Sequence, residues 1–134
     1  MHPLLKKINH IGIAVKDLKE AAAKYSILTG ITDFETEYVE GQDVDVAMFH
    51  VGESKIELLQ GRSESSPISK YLETNREGLH HVAYEVENIE AVLKLLADQG
   101  FKLIDTVPRM GAGGHKIAFI HPKSTNGVLT EICE

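Results

Sequence analysis

The sequence predicts an α+β fold built from two tandem βαβββ modules packed together as one domain, and three matches within the chain carry that prediction. NHIGIAVKDLKEA from Asn9 matches HHVAYEVENIEAV from His80 at an offset of 71 residues. AMFH at 47–50 matches AFIH at 118–121 at the same offset, and IELL at 56–59 matches TEIC at 130–133 once three residues are inserted. Polar residues recur at equivalent places in both halves, which points to duplication of one unit. At 134 residues the chain is long enough for one sizeable core, but each half alone is too small to bury its own. The halves are therefore expected to pack against each other, with one module at about 6–60, a linker at 61–77 and a second module at about 78–134.

Each element has a local signal. Ile8 to Val15 alternates in strand fashion, and Asp17 with Glu20 three residues on is a capping-box signature for a helix running to about Thr29, closed by Gly30. Strand-like runs follow at Asp33–Val39, Val44–Val51 and Lys55–Leu59, separated by turns at Gly41 and Gly52. Gly61–Ser66 is polar and Ser-rich, and Ser66-Pro67 opens a short helix to Asn75. The second module repeats the order: a strand at Leu79–Val86, Asn88 as N-cap of a helix to about Gln99, Gly100 closing it, then strands near Lys102–Val107, Lys116–His121 and Val128–Cys133.

Composition excludes several classes of function. Apolar residues make up 43% of the chain and charged ones 25%, as in ordinary soluble proteins. No apolar run approaches the ~20 residues that cross a bilayer, and MHPLLKKINH lacks the apolar stretch of a secretion signal. A cytoplasmic protein without a membrane role is expected. The net charge of −6, with Lys and Arg scattered, argues against nucleic acid as a partner. The lone Cys133 has no partner for an internal disulfide and no motif around it, and no Walker, CxxC or GxSxG pattern occurs.

The residues that carry chemistry are those the repeat relates. Strand parity places His10, Gly12 and Ala14 on one face and Ile11, Ile13 and Val15 on the other, which is apolar and suited to packing against helices. His81 and Ala83 take the equivalent positions, so each histidine has small neighbours and room for a ligand. Glu57 interrupts KIELL, and Glu131 lies between Leu129 and Ile132. A carboxylate within a central strand is costly unless paired or bound to a metal. A histidine or glutamate in isolation reads best as a satisfied or solvated side chain, but four positions linked by one repeat point to a shared site. Two imidazoles and two carboxylates give an N2O2 set suited to one divalent Zn, Co, Ni, Mn or Fe ion. His80 is expected on the opposite face from His81, as a structural or supporting residue. MGAGGHK at 110–116 is a glycine-rich loop able to bring backbone amides near a carboxylate or phosphate.

INHIGIAVKDLKEA, KIELLQ, SSPISKYLE, GLHHVAYEV, GAGGHKIAFIHPKSTNGVL and TEICE together resemble the vicinal oxygen chelate superfamily, which includes glyoxalase I, extradiol dioxygenases and bleomycin-resistance proteins. Within it the methylmalonyl-CoA epimerase family is most similar. The resemblance spans nearly the whole chain and implies a glyoxalase-like domain with a metal-binding cleft, His10, Glu57, His81 and Glu131 as metal ligands, an acyl-CoA substrate and a homodimer. Some bacterial epimerases carry Gln at the position of Glu57, so an acid here departs from them. The implied reaction interconverts (2R)- and (2S)-methylmalonyl-CoA, a metal ion stabilising the enolate formed when the α-proton leaves. Glu131 resembles the family's base. The register in Val44–Val51 puts Val46 where some members hold a second Glu, so the adjacent Asp45 is the expected partner. Gly111, Gly113 and Gly114 resemble the loop that closes on the acyl group, and Lys123 of the HPK motif is expected at the substrate. A glyoxalase I-type lyase and a non-catalytic small-molecule-binding protein of the same fold are the alternatives.

Overall fold

A computed structural model describes residues 4–134. The first module contains β1 (Leu5–Ala14), α1 (Leu18–Thr29), β2 (Glu35–Val39), β3 (Val44–Val51) and β4 (Ser54–Gly61), and α2 (Pro67–Thr74) follows it. The second contains β5 (Gly78–Val86), α3 (Ile89–Asp98), β6 (Arg109–Met110), β7 (Lys116–Ile120) and β8 (Thr130–Cys133). The expected helix signals operate as read. Asp17 accepts a hydrogen bond from the Glu20 N–H, and Gly30 closes α1 in the left-handed conformation that glycine adopts without strain. Ser66 caps α2 with Pro67 in its first turn, and Asn88 caps α3.

The strands form one mixed sheet in the order β2-β3-β4-β1-β5-β8-β7-β6, curled into a half-barrel. β4 lies parallel to β1, β8 lies parallel to β5, and β1 pairs antiparallel with β5 to join the modules. The order therefore reads the same outward from the β1–β5 seam in either direction, as an approximate two-fold axis requires. α1 packs on the outer face over Ala47, Phe49 and Leu58. α3 does the same over Val86, Ala118 and Ile132. Both helices thus bury the apolar strand face predicted for them, and the inner face is left to line a cleft. α2 has no counterpart: it lays Ile68, Tyr71 and Leu72 against Val44, Val46 and Leu59 on the inner side.

One expected strand does not form. Leu103 makes a single bridge to Ile120, and the extended pairing moves to the two residues of β6. Asp105 explains the difference, because its carboxylate accepts the Phe119 N–H at 2.8 Å, a bond that a strand would have taken on a backbone carbonyl. Pro108, with no N–H to donate, ends the segment. The Gly41 turn is a 3-10 turn over Glu40–Gln42.

The β1–β5 seam carries irregularities that matter below. Ile8 pairs with Tyr84 but His10 with Ala83, leaving Asn9 as an extra residue in β1. Gly12 pairs with His81 but Ile13 with Leu79, leaving His80 as an extra residue in β5. Asn9 and His80 are the same position of the repeat.

Candidate functional site

Two rows of residues cross the inner face of the sheet. Backbone register sets Glu57 beside Gly12 and Gly12 beside His81 in one row. It sets Glu131 beside Ala83 and Ala83 beside His10 in the other. Each row thus places a small residue between a carboxylate and an imidazole, and the two rows are related by the approximate two-fold. Gly12 is small because His81 needs its place: a Cβ on Gly12 would lie 2.2 Å from His81 Cε1. The space read from the sequence as room for a ligand is filled by the imidazole.

Three of the four expected ligands converge. His10, His81 and Glu131 are each about 5% exposed or less, and each offers a donor atom within 4.8 Å of the others. The two Nε2 atoms are 3.1 Å apart. Glu131 Oε1 lies 3.1 Å from His81 Nε2 and 3.7 Å from His10 Nε2. Donors bonded tetrahedrally to one ion at about 2.0–2.2 Å stand roughly 3.3–3.6 Å apart, so the spacing suits a shared metal. Glu57 stands one ring further out. Its Oε2 is 3.4 Å from His10 Nδ1 and 3.6 Å from Lys55 Nζ, and it is equally buried.

The far nitrogens of both imidazoles are also engaged. His10 Nδ1 lies 2.7 Å from Asn9 Oδ1, and Asn9 Nδ2 donates to Glu85 Oε1 at 3.3 Å. That carboxylate accepts only from the amide nitrogen, which turns the Asn9 oxygen toward His10 and makes His10 Nδ1 a donor. His81 Nδ1 lies 3.0 Å from His80 Nδ1. The two Nε2 atoms and the Glu131 carboxylate thus face one another, a set of donor atoms suited to a cation. Burial opposes ionisation of Glu131, but hydrogen bonds from His10 and His81 outweigh it and hold the carboxyl at about 2.

The cleft around this group encloses about 210 Å³. His80 lines it, contrary to the parity argument, because the extra residue shifts the phase of the strand and turns the side chain toward His81 and the ring of Tyr71. Burial, with the neighbouring His81 adding to it, pushes the His80 imidazole down to about 4. Asp45 is not at the site. It lies on the helix side of β3, bound to Arg62 Nη2 at 2.6 Å, whereas Val46 faces the cleft. Strand alternation sets these neighbouring residues on opposite faces of β3, and Asp45 is on the face away from the cleft. Lys123 is exposed on a turn after β7 and does not line the cleft either. The glycine-rich loop reaches the cleft through Ala112 and His115 rather than through Gly111, Gly113 or Gly114. The Gly113 N–H donates to Glu37 Oε1 at 2.8 Å, tying this loop of the second module to β2 of the first.

Sequence reasoning missed Lys55, which lines the cleft with a side chain only 15% exposed. Its signal was present, since Lys55 shares the strand parity of Glu57.

Residues 9–119 match the family model described as the glyoxalase/bleomycin resistance protein/dioxygenase superfamily. An uncharacterised protein of Bacillus subtilis (strain 168) is 44% identical over 130 residues, covering 97% of this chain and 93% of the relative. An ethylmalonyl-CoA/methylmalonyl-CoA epimerase of Cereibacter sphaeroides is 37% identical over 131 residues, covering 96% of this chain and 98% of the relative. The solved structure of a methylmalonyl-CoA epimerase in complex with methylmalonyl-CoA and NH4+ aligns with a TM-score of 0.91 at 37% identity, covering 96% of this chain and 94% of that one.

Proposed function

Because the chain belongs to the glyoxalase/bleomycin resistance protein/dioxygenase superfamily and, within it, to the methylmalonyl-CoA epimerases, we propose that it interconverts (2R)- and (2S)-methylmalonyl-CoA by moving the α-proton. The observation that carries this reading is the buried convergence of His10, His81 and Glu131 at the floor of a cleft. These three residues would hold one divalent ion, while Glu57, beside the far nitrogen of His10, lies outside the converging donors. When bound, the ion polarises the substrate's carbonyl oxygens and stabilises the negative charge that develops as the α-proton leaves.

The remaining work falls to side chains of this chain. Glu131 is ionised and able to accept the α-proton, but a carboxyl near 2 is a weak base, so the acidity of the substrate has to be raised for the transfer to run. With Asp45 on the other side of β3, the proton on the opposite face of the α-carbon passes through another group lining the cleft or through water. Phe119 packs edge-on against His81, at 5.5 Å between ring centroids, and limits solvent on that side. About 210 Å³ is below the roughly 300–1,000 Å³ of sites that enclose drug-sized ligands, which suits an acyl group inside and a CoA tail outside. We place the protein in the cytoplasm as one domain that pairs as a homodimer. No helix among the described residues is long and apolar enough to cross a membrane.

The test is incubation with methylmalonyl-CoA in heavy water after metal analysis. Interconversion of the epimers with deuterium appearing at the α-carbon is expected, with loss of turnover on chelation. Epimerisation without α-deuterium would overturn the mechanism. Turnover of a glutathione hemithioacetal in place of methylmalonyl-CoA would move the chain to the glyoxalase I reaction.

A further inference from the structure

The extra residues at the seam and the orientation of the two histidines belong to one device. We propose that Asn9 and His80 are positioning residues whose side chains accept the Nδ1–H of the following histidine and thereby aim both Nε2 atoms inward. The inference rests on the reading that His10 and His81 bind a metal.

Four observations support it. Each is an unpaired extra residue in its strand, and each immediately precedes a ligand histidine. In a regular strand, adjacent side chains point to opposite faces and could not bond to each other across the sheet plane. The irregularity removes that bar and re-aims the side chain. Both make the corresponding contact, 2.7 Å from Asn9 Oδ1 to His10 Nδ1 and 3.0 Å from His80 Nδ1 to His81 Nδ1. Each is itself fixed from outside the contact: Asn9 by Glu85, and His80 by the ring of Tyr71 at 4.8 Å between centroids. An imidazole that uses Nε2 for a metal carries its proton on Nδ1, so the partner must be an acceptor. The Asn9 amide oxygen is one. His80 is one only in the tautomer with hydrogen on Nε2, which assigns the proton positions of the whole His80–His81 pair. The repeat has thus kept the task while changing the side chain that performs it.

The experiment uses the full-length chain loaded with Zn2+ and reads the imidazole Nδ1–H protons by nitrogen-edited NMR, alongside zinc affinity by chelator competition. Two Nδ1–H protons protected from exchange, from His10 and His81, are expected in the unaltered protein. His80→Ala should expose the His81 proton to exchange and weaken zinc binding by about 10–100-fold. His80→Asn, which installs the first module's acceptor in the second, should restore both readouts to within a few-fold. Asn9→Ala should act on the His10 proton alone. Coordination of His81 through Nδ1, absence of both protected protons, or His80→Asn behaving no better than His80→Ala would overturn the inference. Should His80→Ala fail to fold, the proton signals of the unaltered chain still decide. A chain that binds no zinc loses the metal reading and this inference together, whereas zinc bound with unprotected Nδ1–H protons defeats this inference alone.

Discussion

The two modules place the same residue types on the same rows of the sheet, yet their carboxylates do not behave alike. Glu131 lies against both imidazole Nε2 atoms, while Glu57 lies against the far nitrogen of His10 and beside Lys55. The residue two before each glutamate accounts for the difference. It is Lys55 in the first module and Leu129 in the second, and both line the cleft. An apolar neighbour leaves Glu131 no charged partner but the imidazoles among the described residues; an ammonium gives Glu57 an alternative and offsets its charge. A duplicated site can therefore keep its ligands and tune their charge from one strand position away.

The comparison breaks most severely at Gly12. Its counterpart Ala83 tolerates a Cβ, but one on Gly12 would overlap His81. Gly12→Ala is expected to weaken zinc binding by at least about 100-fold, whereas Ala83→Gly should leave it within a few-fold, both measured by chelator competition. A smaller effect is expected from His80, which stands where the first module has a non-titrating Asn9. Its folded value near 4 is below the 6.5 of an unperturbed histidine, so between these values the unfolded chain binds more protons. Stability of the metal-free protein should be complete above about 6.5 and fall by roughly 1–3 kcal/mol as the pH drops through 4. Denaturant midpoints across that range should be flatter in His80→Asn.

Lys55→Leu converts the first module's arrangement into the second's. Removing the ammonium beside Glu57 is expected to tighten divalent metal binding by roughly tenfold, about 1 kcal/mol, and the reciprocal Leu129→Lys should weaken it. An unchanged affinity in both variants would show that Lys55 does not govern Glu57. The smallest effect belongs to Asp45, which sits on the helix side with Arg62. Asp45→Asn should leave metal content and turnover unchanged and cost less than about 1 kcal/mol in stability, as expected for an exposed ion pair.

The repeat made the architecture legible, because helix caps at Asp17, Ser66 and Asn88 and strand alternation are local signals. It also made His10, His81 and Glu131 legible as a group. What escaped depended on phase. One extra residue at His80 reversed the face assigned to it, and the choice between Asp45 and Val46 turned on a single step of register that fixed the wrong face for the proposed acid. The segment at 102–107 was misread for a different reason: Asp105 supplies by side chain the hydrogen bond that a paired strand would have used. Neither bulges nor side-chain substitutes for ladder bonds leave a mark in hydrophobic periodicity.

The β1–β5 seam has a thermodynamic consequence. Of the three converging donors the first module supplies His10 and the second His81 and Glu131, so a chain in which either module has opened holds an incomplete donor set. Metal at a free concentration 100 times its dissociation constant would add about 2.7 kcal/mol to the stability of the intact state and almost nothing to a half-open one. The ion would thus act as a reporter of the docked halves, raising the cost of separating them in proportion to the logarithm of its concentration. Hydrogen exchange in the seam strands should slow on loading to the same extent in both modules, even though their outer helices are packed independently.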